Sequence, residues 1–62
     1  MTDQELLNDL LMFLDSDDQH LGINASMALI SRGYKQVNRT TVQIVADMLS
    51  LKIRLFKLEN AG

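Results

Sequence analysis

The sequence contains no cysteine and no proline, and its only histidine is His20. Without cysteine the chain can form neither a disulfide nor a thiolate metal site, and one histidine cannot make a histidine-rich metal site. Disulfides and metal sites commonly stabilise domains as small as this chain of 62 residues. A domain of this size buries only about 60% of the surface that it exposes when unfolded. Association with another chain is the remaining common way to stabilise such a fold, and the sequence therefore predicts an oligomer.

Features of membrane and secreted proteins are also missing. No apolar run approaches the roughly 20 residues that a membrane-spanning helix needs. The N-terminal segment is acidic and lacks the basic region followed by an apolar region that is typical of a secretory signal. The lack of cysteine fits a reducing compartment. We therefore expect a cytoplasmic protein with no membrane partner.

Charge is unevenly distributed along the chain. Residues 1–31 carry six acidic and no basic side chains, whereas residues 32–62 carry six basic and two acidic ones. Such a dipolar chain can pair its halves internally, pair with a second copy or attract a charged partner. The candidate charged contacts are Arg32, Lys35, Arg39, Lys52, Arg54 and Lys57.

Helix-capping patterns divide the chain into three segments. Thr2 and Glu5 form a capping box before an apolar-periodic stretch. Gly33 is typical of the left-handed residue that follows a helix, and Asn38 is typical of an N-cap. The start of the second helix is open, because both Ser16 and Asn24 could cap it.

These signals predict an all-α domain with helices near residues 2–15, 19–32 and 39–58, the last being long and amphipathic. An alternative remains for residues 51–55, where apolar and basic residues alternate as in a strand. The predicted core consists of Leu6, Leu10, Phe13, Leu14, Met27, Ile30, Val42, Val45, Leu49, Ile53 and Phe56.

The third helix has apolar side chains on two sides. At about 100° per residue, one stripe includes Val42, Val45 and Leu49, which suit the core. A second stripe is more than the two short helices can cover, so it predicts a homodimer through a parallel or antiparallel helix pair, or a docking site for a larger protein. The residues of this predicted interface are Ile44, Met48, Leu51, Leu55 and Leu58.

Candidate chemistry is sparse. Asp15, Asp17 and Asp18 resemble the Asp-x-Asp element of a phosphatase or part of a calcium loop. The former chemistry needs a large parallel-sheet domain, and the latter needs more oxygen ligands and a central glycine. No nucleophile–base pair or phosphate-binding glycine loop is evident. We therefore expect a protein without enzymatic activity, metal or cofactor.

A helix-turn-helix is the alternative functional interpretation. The second and third helices are joined by a turn that carries Arg32, Lys35 and Arg39, which could contact phosphates. The connection is longer than the usual three or four residues, and the third helix is too apolar for a groove. Nucleic acid is therefore the less favoured partner.

The middle of the chain carries a spaced pattern of leucine, glycine and Val-Asn residues. The pattern comprises Leu21-Gly22, Leu29-Ile30, Gly33, Val37-Asn38-Arg39 and Leu49. With a small loop insertion, this spacing over about residues 21–49 is similar to that of a family of small bacterial regulators, the biofilm-development and two-component connector proteins of the YmgB/AriR type. The resemblance implies an all-helical, dimeric protein that binds signalling proteins.

Overall fold

The chain folds into three α-helices. The computed structural model describes residues 1–17 and 19–61, and its helices are α1 (Asp3–Asp15), α2 (Ile23–Ser31) and α3 (Arg39–Ala61). No strand is present within these residues, so the predicted all-α class is confirmed. The alternative of a strand at residues 51–55 is wrong, because α3 continues through them and on to Ala61.

The predicted caps of α1 and α3 are confirmed. Thr2 Oγ1 accepts a hydrogen bond from the Glu5 amide at 3.2 Å, and Glu5 Oε1 accepts one from the Thr2 amide at 3.3 Å. Asn38 Oδ1 accepts a hydrogen bond from the Thr41 amide at 2.9 Å. Each cap satisfies backbone N–H groups that have no partner within the helix.

The start of α2 differs from both predictions. Its N-cap is Gly22, a residue without a side chain that could accept a capping hydrogen bond; Asn24 lies within the first turn instead of before it. The end of α2 is as predicted. Gly33 has φ = 100°, its amide donates to the Ile30 carbonyl at 3.0 Å, and the Tyr34 amide donates to the Leu29 carbonyl at 3.2 Å. These two bonds form a Schellman motif.

The left-handed backbone at Gly33 leads to a testable prediction. Gly33→Ala should lower the free energy of unfolding by about 1–2 kcal/mol, because a Cβ disfavours this conformation. Gly22→Ala is a matched control, since Gly22 has φ = −57° and open space around it. Urea denaturation should place the control within about 0.5 kcal/mol of the wild type. Equal losses in the two variants would exclude backbone strain as the cause.

Helix α1 packs against both α2 and α3, whereas α2 and α3 do not approach each other closely along their backbones. The first turn of α1 contacts Arg32 after α2 and Lys52 in α3, and the last turn contacts Arg39 at the start of α3. Both neighbours therefore run antiparallel to α1. The molecule extends 41 Å in its longest dimension, comparable to the length of about 34 Å expected for a helix of 23 residues such as α3.

The core lies along one side of α1. Leu14 and Ile53 are partly buried against it, as are Val37 and Tyr34. Its buried members are Leu6, Leu7, Leu10, Phe13, Ala25, Leu29, Val42, Val45, Ala46 and Leu49.

Three of the predicted core residues are exposed: Met27, Ile30 and Phe56. The side of α2 that faces α1 carries Ala25 and Leu29 instead, and the small Ala25 allows close approach of the two helices. Phe56 continues the core stripe of α3 into a region where every residue from 54 to 61 is exposed.

Candidate interaction surface

The outward side of α3 carries a continuous apolar surface. Its centre lies roughly 150° around the helix from the buried stripe of Val42, Val45, Ala46 and Leu49, at about 100° per residue. All of its residues are between 52% and 66% exposed. We call this surface the α3 outer face; its members are Ile44, Met48, Leu51, Leu55 and Leu58. The side chains predicted as an interface thus lie together on one helix side, uncovered by α1 or α2.

A second apolar surface lies on α2 and was not predicted. Ile23, Met27 and Ile30 follow each other at spacings of four and three, on the opposite side of α2 from Ala25 and Leu29. We call these three residues the α2 outer face. Their spacing is evident in the sequence, but a stripe of this kind is usually core, and only the packing of α2 against α1 shows which side is buried.

Basic residues 32 and 52 converge on Asp3. Arg32 Nη2 lies 2.8 Å from Asp3 Oδ1, and Lys52 Nζ lies 2.9 Å from Asp3 Oδ2. The Lys52 ammonium, followed by the Arg32 guanidinium, lowers the pKa of the Asp3 carboxyl. One carboxylate at the start of α1 therefore links the end of α2 to the middle of α3. The acidic and basic halves of the chain pair internally at this point.

This junction should make stability depend on pH. Because the pKa of Asp3 is lower in the folded than in the unfolded chain, its contribution is present above the unfolded pKa of about 3.9 and is lost as pH falls through and below it. Asp3→Asn should reduce the fall of the thermal-unfolding midpoint between about pH 6 and about pH 2. High salt should also reduce this fall, since the side chains of Asp3, Arg32 and Lys52 are accessible to solvent.

Asp9→Asn is the control for that measurement, because Asp9 is also an exposed carboxylate of α1 but has no ion pair within the described residues. Glu5 makes stability depend on pH in the same direction as Asp3, because hydrogen bonds from the Thr2 hydroxyl and amide lower the pKa of Glu5. If the unfolding midpoint of Asp3→Asn fell with pH as steeply as that of the wild type, Asp3 would not be a source of the pH dependence.

Arg39 holds the C-terminal end of α1. Its Nη2 donates to the Leu14 carbonyl at 2.9 Å and to the Ser16 carbonyl at 3.4 Å. The guanidinium carbon also lies 5.0 Å from the centroid of the Phe13 ring, within cation–π range. A cation at a helix C-terminus is electrostatically favourable. Sequence reasoning missed this role, because residues 14 and 39 approach each other only in the folded chain.

The basic residues of the predicted helix-turn-helix do not form a free patch. Arg32 and Arg39 have the contacts with α1 described above, and the connection between α2 and α3 spans seven residues, 32–38. Lys35 is exposed within this connection. Arg54 and Lys57 are also exposed, and they line a shallow cleft with Gln4 and Leu7.

The described residues contain no cluster of acidic or histidine side chains suited to a metal ion. Asp18, one of the three aspartates considered from the sequence, lies outside those residues. His20 is exposed in the bend between α1 and α2, beside an open cleft of about 180 Å³ that Met12 and Leu21 also line.

None of the helices within residues 1–17 and 19–61 combines the length and the apolar character required to cross a membrane.

Comparisons with known proteins give no family assignment. The chain matches no protein-family model, no curated protein and no solved structure. The resemblance to the YmgB/AriR type therefore stays a prediction from the sequence pattern.

Proposed function

We propose that the protein is a non-enzymatic regulator that acts by binding another protein, as an adaptor, connector or inhibitor. The observation that carries the proposal is the amount of ordered apolar surface. Twelve large apolar side chains among the described residues are between 49% and 77% exposed. Eight of them form the α2 and α3 outer faces.

Exposed apolar side chains are ordinary when scattered, but contiguous patches mark interaction sites. Both faces lie on regular helices, so their residues are presented in a fixed arrangement that needs little ordering on binding. The resemblance described above favours a bacterial signalling protein as the larger partner, in the manner of a two-component connector.

The experiment is affinity capture from a lysate of the native host, followed by mass spectrometry. We expect a specific protein to be retained by the wild type and lost with Met27→Asp/Ile30→Asp or with Leu51→Asp/Leu55→Asp. Asp9→Asn and Lys35→Glu serve as controls for a changed surface charge. Circular dichroism should show that each variant keeps the helical content of the wild type.

Binding to duplex DNA, measured by fluorescence anisotropy at several salt concentrations, tests the alternative function. A DNA-binding protein would show affinity that falls steeply with salt and is reduced by Lys35→Glu. Lys35 is the informative position, because reversing Arg32 or Arg39 would also break contacts with α1. DNA binding of this kind, with no captured protein, would overturn the proposal.

A further inference from the structure

We propose that the α3 outer face binds a second copy of this chain in a parallel two-helix arrangement. This inference deepens the proposed function, on which it rests, by giving one of the two faces a specific occupant. It leaves the α2 outer face for the larger partner.

The spacing of the α3 outer face is that of a coiled-coil seam. Successive members are separated by four, three, four and three residues, which is the alternation of the inward positions a and d in a heptad repeat. Ile44, Leu51 and Leu58 then occupy position d, and Met48 and Leu55 occupy position a. All five are exposed on the side of α3 away from the core, so a second helix can reach them without disturbing the fold.

The charges beside the seam favour a parallel orientation. Asp47 and Arg54 occupy position g, and Lys52 and Glu59 occupy position e. In a parallel pair, position g of one helix lies near the residue five positions later, at e, on the other. Asp47 then meets Lys52 of the second copy, and Arg54 meets Glu59 of the second copy. By symmetry this gives four contacts, each between opposite charges.

The structure leaves these side chains able to make the contacts. All four are exposed, and Asp47, Arg54 and Glu59 have no ion pair within the described residues. Lys52 bonds Asp3, but its side chain is 69% exposed and its ammonium has three donors. Asp47 accepts one hydrogen bond, from Gln43 Nε2 at 3.1 Å, and a carboxylate can accept several.

An antiparallel pair that covers the same five residues is less favourable. It would centre on Leu51 and bring Lys52 next to Lys52 of the second copy, a contact between like charges. Opposite charges would meet only where Asp47 approaches Arg54 of the second copy. The parallel arrangement avoids every such like-charge contact among these four positions.

The domain also reduces the cost of association. The seam covers only about two heptads, which is short for isolated helices that must form as they pair. Here the first half of the seam lies on a stretch of α3 that Val42, Val45 and Leu49 already anchor in the core. That stretch is helical before the second copy binds.

Sedimentation equilibrium at micromolar concentration tests the occupant. We expect a dimer for the wild type and a monomer for Leu51→Asp/Leu55→Asp. The matched control is Ile23→Asp/Met27→Asp, which places the same charges on the α2 outer face and should remain dimeric. A monomeric wild type, or a dimer that only the control abolishes, would overturn the inference.

Charge exchange tests the orientation. Arg54→Glu should weaken the dimer roughly tenfold at low salt, because two attractive contacts become repulsive. Arg54→Glu/Glu59→Arg should restore the affinity of a parallel dimer. In an antiparallel dimer the second substitution would not help, since the glutamate introduced at position 54 would still face Asp47 of the second copy.

Disulfide trapping gives an independent readout, since the chain has no native cysteine. Ile44→Cys and Leu58→Cys should each cross-link to an identical copy, because d positions of a parallel pair bring Cα atoms to within disulfide range of about 6 Å. Ser50→Cys, on a flank away from the seam, should not cross-link. Cross-linking only in a mixture of the first two variants would overturn the parallel orientation.

These outcomes are separable from those of the proposed function. A monomer that still captures its partner through the α2 outer face would defeat this inference alone. A parallel dimer that captures no protein and binds duplex DNA would defeat the proposed function alone.

Discussion

Leu10→Ala is expected to unfold a large fraction of the molecules at room temperature. Leu10 is 0% exposed and lies on α1, the helix that contacts both others. Removing a buried leucine side chain loses its transfer free energy and leaves a cavity, at a combined cost of about 2–5 kcal/mol. In a chain of this size without cysteine, a single hydrophobic core supplies only about 3–5 kcal/mol of stability.

Met12→Ala provides the comparison on the same helix. Met12 is exposed, so its truncation should change the free energy of unfolding by no more than about 0.5 kcal/mol. Chemical denaturation followed by circular dichroism measures both variants, at one fixed protein concentration because any dimer makes stability depend on it. Similar losses in the two variants would contradict the central position of Leu10.

The second large effect is expected at Leu29. This residue and Ala25 are the fully buried side chains by which α2 contacts the core. Leu29→Ala should therefore cost about 2–5 kcal/mol and should release α2 from α1. Its neighbour Ile30 is exposed, and Ile30→Ala should be nearly neutral.

Comparing these two variants tests the core of the structure against the core predicted from the sequence, which included Ile30 and not Leu29. Thermal melts of both variants give the comparison. A greater loss for Ile30→Ala than for Leu29→Ala would mean that α2 is rotated relative to the orientation described above.

Local interactions explain what the sequence predicted well. The Thr2 capping box, the Asn38 cap and the left-handed Gly33 each depend on residues within a few positions of one another, so their patterns are visible without a fold. The long apolar periodicity of α3 also indicated both its helical state and its outer face. Only its C-terminal end was placed too early, at residue 58 instead of Ala61.

The features that the sequence did not predict depend on contacts between distant segments. Nothing local shows that Ala25 and Leu29, not Met27 and Ile30, face α1, because both pairs have helical spacing. The burial of Phe56 was predicted from its stripe, but the stripe alone does not show where α1 stops covering it. The capping of α1 by Arg39 likewise requires the chain to bring residue 39 back to residues 14 and 16.

The exposure of residues 54–61 has a consequence for hydrogen exchange along α3. We expect amides near Val42 and Leu49 to exchange only when the core opens, because these residues are buried. Amides of the last two turns, where every residue is exposed, should exchange by local fraying at a much lower free energy. Deuterium uptake should therefore rise steeply after about residue 53 in the unbound chain. Any molecule that covers Leu55 and Leu58 would slow deuterium uptake in that same segment. The position along α3 at which uptake rises therefore reports whether the outer face is occupied.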